Sequence, residues 1–136
     1  MKLNPYLTFN GNCAEAFAFY EKCFGAKIGL MMTWRGSPME AHAQPDQLDK
    51  IMHASMLVGD TPLMGADASA AHYQKPHGIT VSIGMTEPAE AERVFAALSE
   101  GATVTMPLAE TFWALRFGML TDRFGIPWMI NCERPQ

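Results

Sequence analysis

The sequence predicts an α+β fold made of two tandem βαβββ modules. Three observations lead there. The order strand, helix, three strands can be read twice along the chain. A shift of 76 residues carries Phe19 to Phe95, Gly25 to Gly101 and Ala26 to Ala102. A shift of 65 carries Thr61-Pro62-Leu63-Met64 onto Ile126-Pro127-Trp128-Met129. These matches fall where a shared helix stop and a shared last strand belong. The expected organisation is one domain over 1–136, with module one at about 1–66 and module two at about 78–133. The stretch 67–77 links them.

Each element has its own signal. Leu3 to Phe9 reads as a strand, stopped by the turn residues Asn10-Gly11. Asn12 then stands as an N-cap, with Glu15 three positions on to complete a capping box. Cys13, Ala16, Phe17, Tyr20 and Phe24 recur on one helical face, and Gly25 suits the left-handed stop. Ile28, Leu30, Met32 and Trp34 alternate as a second strand. Arg35 to Asp49 is polar and carries two prolines, so it is expected to be a long loop. Lys50–Val58 and Thr61–Ala66 form a hairpin turning at Gly59-Asp60. The second module begins with a strand over Gly78–Met85. Pro88 suits the first turn of a helix whose apolar stripe is Ala91, Val94, Phe95 and Leu98, ended by Gly101. Val104, Met106 and Leu108 alternate. Phe112–Thr121 and Ile126–Glu133 close the chain as a hairpin through Asp122-Arg123-Phe124-Gly125.

Composition narrows the function classes. The 136 residues are 49% hydrophobic and 18% charged, which excludes a disordered tail. No apolar run reaches the ~18 residues of a bilayer span, and Met1-Lys2-Leu3-Asn4-Pro5 lacks a secretory leader. A cytoplasmic location is expected, with no membrane partner. The net charge is −4 and no Lys/Arg cluster exists, so nucleic acid is not an expected partner. The three cysteines show no metal-ligand spacing. Cys13 and Cys23, about 15 Å apart along one helix, cannot bridge. All three are expected as buried apolar fillers.

The residues Tyr6-Leu7-Thr8-Phe9, Phe24-Gly25-Ala26, Lys50-Ile51-Met52-His53-Ala54 and Leu63-Met64-Gly65-Ala66-Asp67 carry a resemblance. So do Met106-Pro107-Leu108, Glu110-Thr111-Phe112-Trp113, Arg116-Phe117-Gly118, Asp122-Arg123-Phe124-Gly125 and Trp128-Met129-Ile130. With the doubled βαβββ plan, they resemble the vicinal-oxygen-chelate superfamily, and within it the PhnB-like branch. That superfamily includes glyoxalase I, bleomycin-resistance proteins and extradiol dioxygenases. The resemblance implies a curved mixed sheet around a cleft, and commonly a homodimer. In catalytic relatives it also implies one divalent metal, held by the first and last strand of each module. At the last-strand positions this chain has Met64 and Met129, thioethers ill-suited to hard cations. The first-strand positions fall near Pro5 or Leu7 and near Gly78 or Thr80. A slip of one or two residues brings in His77 or Asp67 but not a full set. No metal or other cofactor is therefore expected.

Three polar residues are candidates for chemistry. His53 is a mid-strand imidazole among apolar neighbours, read either as a hydrogen-bonded core histidine or as a general base in the cleft. Arg116 stands between Leu115 and Phe117 and needs an anionic partner, expected to be Glu110 or a ligand. If the shift of 65 holds, His53 maps to Gly118, which has Arg116's parity. The two would then lie on one wall. Glu110 is read as Arg116's partner, a strand-end carboxylate or a cleft acid. Tyr6, Trp34, Trp113, Trp128, Met64 and Met129 are the candidate ligand contacts, each also readable as core. Asp122 is read as a turn-shaping residue. Three functions remain open from these residues, one of them a structural or regulatory dimer without a ligand. Another is a metal-independent small-molecule binder of the bleomycin-resistance kind. The third is a glyoxalase-like lyase, isomerase or dioxygenase. Some relatives carry a demethylubiquinone methyltransferase label. The chain has no Gly-rich cofactor loop and no doubly wound plan, so methyl transfer is not expected.

Overall fold

The computed structural model describes residues 1–135 and divides into two compact units, Met1–Gln74 and the described residues from Lys75 onward. Each unit holds one βαβββ module. In the first, β1 (Tyr6–Phe9), α1 (Cys13–Phe24), β2 (Ile28–Thr33), β3 (Ile51–Val58) and β4 (Thr61–Asp67) form a four-stranded sheet ordered β1-β4-β3-β2. In the second, β5 (Val81–Met85), α2 (Pro88–Leu98), β6 (Thr103–Ala109), β7 (Ala114–Thr121) and β8 (Pro127–Glu133) repeat the order as β5-β8-β7-β6. The first and last strands pair parallel in each sheet, and the other neighbours pair antiparallel.

Strand alternation sets which face each helix covers. Leu7, Phe9, Ala54, Met56 and Leu63 are buried and pack with the apolar face of α1, where Phe17 and Tyr20 are fully buried. Phe9, Phe17 and Tyr20 meet ring to ring at 6.1–6.4 Å. Burying side chains of that size contributes about 1.5–3 kcal/mol each. Gly65 is required where β4 passes under α1, because a Cβ there would stand 2.9 Å from Leu7 O and from the Phe17 ring. In the second module Ala114, Leu120, Trp128, Ile130 and Cys132 are buried with the α2 stripe of Ala91, Val94, Phe95 and Leu98.

Gly25 is the left-handed stop of α1 expected, at φ 64°; α2 instead ends at Leu98 with Ser99 as its cap, and Gly101, at φ 71°, lies in the turn that follows. The expected capping box does not form, since the Asn12 side chain makes no cap bond. The carboxylate of Asp67, at the end of β4, takes that place. It accepts from Cys13 N at 2.9 Å and from Ile51 N at 2.8 Å, tying the start of α1 to the start of β3. Three strands begin two or more residues later than expected: β1 at Tyr6 rather than Leu3, β5 at Val81 rather than Gly78, and β7 at Ala114 rather than Phe112. The polar stretch 35–49 is a loop with two short 3₁₀ turns. Its ends are stapled by Arg35 and Asp49, whose side chains meet at 2.8 and 3.3 Å.

The last hairpin carries a detail that decides the site. Val58 pairs with Thr61 around Gly59-Asp60, whereas Asp122 N bonds Ile126 O around Arg123-Phe124-Gly125. The second turn is one residue longer. Met64 is carried to Met129 by 65, but their partners Ser55 and Met119 are related by 64. That one-residue change reverses side-chain parity on β7 relative to the expectation.

Candidate functional site

In each module the sheet face away from the helix gathers the chemistry. Directly paired residues share a face, so Tyr6, Met64, Ser55 and Leu30 form one row across the first sheet. His53 and Met32, paired one step along, point to the same side. The corresponding row in the second sheet is Ser82, Met129, Met119 and Met106, followed by Gly84, Asn131, Phe117 and Ala109. These faces are rich in thioethers, which are soft, flexible and adaptable to ligand shape.

The most developed polar feature is on the first face. The Tyr6 hydroxyl lies 3.1 Å from His53 Nδ1, and the two rings stack at 5.7 Å with 28° between planes. Burial, with a smaller contribution from nearby Cys13, pushes the Tyr6 phenol above its ordinary value. The hydroxyl therefore keeps its proton at neutral pH and can donate to Nδ1, which leaves the His53 Nε2–H as a donor. Cys13 itself is fully buried, and burial together with the Asp67 carboxylate pushes its thiol up to about 12. All three thiols are free and buried, as expected.

Arg116 lies on the other side of its sheet. It is paired with buried Cys132, and its Nε donates to Glu92 Oε1 on α2 at 3.0 Å. Its Nη1 donates to Leu115 O at 2.6 Å. The expected partner Glu110 instead binds Arg134 Nη2 at 2.7 Å, at an exposed strand end. The longer hairpin explains this: with an offset of 64, His53 corresponds to Phe117, and Arg116 to Met52. The expectation that Arg116 and His53 occupy equivalent faces is overturned.

Trp128 is only 2% exposed on the helix side, and its Nε1 donates to Asp122 Oδ2 at 2.8 Å. It is core, not a ligand contact. Asp122 is the turn-shaping residue expected, and its Oδ1 also accepts from Phe124 N and Ile126 N. Trp113 is half-exposed and meets Phe117 edge-on at 5.3 Å, which places it beside the thioether face of the second module. Trp34 follows β2 at the mouth of the long loop, half-buried, with its carbonyl accepting from Ser37 Oγ. Met64 and Met129 are on the two faces as described.

Sequence reasoning missed Asn131, whose Oδ1 is buried without a hydrogen-bond partner on the face beside Phe117. It also missed Asp67, Glu92 and Arg134, whose roles depend on contacts between elements. The donor set argues against a hard divalent cation. The pairs joining first and last strands on these faces are Tyr6–Met64, Thr8–Ala66, Ser82–Met129 and Gly84–Asn131. No imidazole or carboxylate is among them, so the residues do not fit the metal the superfamily implies. Among the described residues no group of three or more His, Cys, Asp or Glu comes together to hold an ion. No helix among them is long and apolar enough to cross a membrane.

Residues 1–131 match the family described as 3-demethylubiquinone-9 3-methyltransferase. Protein YjdN of Escherichia coli is 32% identical, over all of this chain and 98% of its own length. The crystal structure of protein PA1353 from Pseudomonas aeruginosa is 46% identical, covers 99% of each chain and superposes with a TM-score of 0.89. The PhnB protein from Bacillus cereus, at 21% identity over 96% of this chain and 98% of its own, has a TM-score of 0.79. A glyoxylase/bleomycin resistance protein/dioxygenase domain from Frankia sp. EAN1pec, at 12% identity and a TM-score of 0.69, covers 98% of each chain and shares the fold.

Proposed function

The chain belongs to the family described as 3-demethylubiquinone-9 3-methyltransferase, the PhnB-like branch of the vicinal-oxygen-chelate superfamily, and from that premise we propose that it binds a small molecule without the superfamily's metal. The observation that carries this reading is the Tyr6–His53 pair set among Met64, Met32 and Leu30 on the helix-free face of the first sheet. A polar handle on a soft apolar surface suits a ligand with a hydrophobic body and one hydrogen-bonding group. Met129, Phe117 and Trp113 offer a similar surface in the second module. Methyl transfer is not part of the reading. Sheets whose parallel pairs are limited to first and last strands give no doubly wound cofactor crevice. We also propose a two-fold homodimer, supported by the exposed apolar side chains of Leu57, Val104, Met106, Phe112 and Trp113, and a cytoplasmic location.

The hydrogen bond between two titratable groups favours one second reading. In it the protein is a lyase, isomerase or dioxygenase of glyoxalase type, with His53 as general base.

The test is a thermal-shift screen of small aromatic and polycyclic compounds, followed by calorimetry on the compounds that stabilise the protein. His53→Ala is expected to weaken binding about tenfold and Tyr6→Phe about fivefold, without loss of fold. Undiminished affinity in both variants would remove the site. Turnover of a bound compound, abolished in His53→Ala with binding retained, would establish the enzyme reading instead. Elemental analysis of the same preparations should find far less than one metal per chain. Near one nickel or zinc surviving dialysis would refute the metal-free reading.

A further inference from the structure

The second module holds a cavity of about 370 Å³, lined by Lys75, Pro76, His77, Gly78, Ile79, Thr80, Thr103, Thr121, Gly125 and Pro127. It is built where the segment entering β5 passes the ends of three other strands. Thr103 pairs with Thr121, and Thr121 with Pro127, so these side chains share one face at the sheet end. The segment 75–80 supplies the remaining wall.

The chemistry of this cavity differs from the rest of the molecule. The chain has a net charge of −4, yet Lys75 and His77 line the cavity and no carboxylate does. The acidic side chains that lie close in sequence to the lining residues Thr121 and Thr103 are committed elsewhere. Asp122 faces inward to the amides of Phe124 and Ile126, and Glu100 pairs with Arg123 at 4.0 Å. The side chains of Lys75, His77, Thr80, Thr103 and Thr121 make no hydrogen bond or ion pair with another described residue. An ammonium, an imidazole and a set of hydroxyls, all unspent and arriving from a loop and two strands, form a three-dimensional set of donors. That arrangement suits a tetrahedral oxyanion better than a planar carboxylate, and a lysine is an effective point charge for phosphate. The volume exceeds what an inorganic anion fills. Ile79, 75% exposed, and the rings of Pro76 and Pro127 offer apolar contact for an organic remainder.

We infer that this cavity is a second binding site, for a small organic monophosphate whose phosphate meets Lys75 and the Thr103 and Thr121 hydroxyls. The site does not depend on the Tyr6–His53 reading, and either can fail alone.

Phenyl phosphate, titrated into the full-length protein and followed by amide NMR at constant ionic strength, tests it. Saturable shifts are expected at the amides of Gly78, Thr103, Thr121 and Gly125. Inorganic phosphate should move the same amides with lower affinity. Lys75→Met, an exposed position whose loss leaves the sheet intact, should weaken phenyl phosphate about tenfold, and Thr121→Val severalfold. Shifts that stay linear or scatter over the surface would overturn the site, as would unchanged affinity in both variants. Benzoate binding as tightly as phenyl phosphate would overturn the assignment to phosphate.

Discussion

Asp67 and Asp122 show how single carboxylates organise this protein. Each accepts backbone N–H groups that would otherwise be buried without partners, at the start of α1 and β3 in one case and inside the last turn in the other. Leaving such donors unsatisfied costs about 1–3 kcal/mol each. Asp67 also affects the chemistry of its neighbour. Burial first, and then the Asp67 charge, hold the Cys13 thiol neutral up to about pH 12, against an ordinary 9.0. A folded-state value above the unfolded one means that the stability from the neutral thiol is complete below pH 9. It is then lost as pH rises from 9 towards 12. Urea unfolding from pH 8 to 11 should therefore show stability falling, with a Cys13 share of at most ~1.4 kcal/mol per pH unit. Cys13→Ala should start less stable, because it leaves a small cavity, but fall less steeply. Parallel slopes in the two proteins would contradict this account.

Between elements, close approach of backbones sets tolerance more than residue type does. Gly118 lies where β7 crosses beneath α2 and beside β6. A Cβ there would stand 2.8 Å from the Phe95 ring and 3.0 Å from Leu108 Cα. The ring can shift but the backbone cannot. Gly118→Ala should destabilise by about 1–3 kcal/mol in urea unfolding. Gly84, on β5, meets nothing within 4 Å, and Gly84→Ala should be neutral or slightly stabilising. Equal effects of the two substitutions would show that close approach to α2 and β6 is not what Gly118 serves. Much of this scale was legible beforehand. Both helices, their buried stripes and the stop at Gly25 follow from helical periodicity and from the steric freedom of glycine. The cap of α1 was misread at Asn12, because Asp67 lies 55 residues away in the chain and reaches the same N-terminus through the fold.

At the scale of the whole molecule, exposed apolar surface is what the proposed dimer would cover. Leu57 is 61% exposed and Phe112 89%, while Trp113, Val104 and Met106 are each more than 40% exposed. β2 and β6 are sheet edges, and β6 is exposed along nearly its whole length. Unpaired strand edges with apolar side chains favour association unless covered. Light scattering at tens of micromolar should give a mass of ~30 kDa, twice the 15.0 kDa of one chain, in keeping with a two-fold dimer. A mass near 15 kDa would exclude it.

Alternating and helical periodicities are local, and they determined the two βαβββ modules and the residues that face each helix. The resemblance of scattered motifs added the family. The candidate site was only partly readable. Tyr6, His53, Met64 and Met129 stand among the candidates named from the sequence, and the strand pairing places them on the helix-free faces. Trp128, Arg116 and Glu110 do not follow, because what a tryptophan or an ion touches is settled by neighbours distant in sequence. Trp128 donates to Asp122 in the core, Arg116 meets Glu92, and Glu110 meets Arg134. One extra residue in the final turn was enough to place Arg116 on the helix side. Strand side chains alternate with a period of two, so the tertiary pairing register, and not the sequence pattern, decided which face it took.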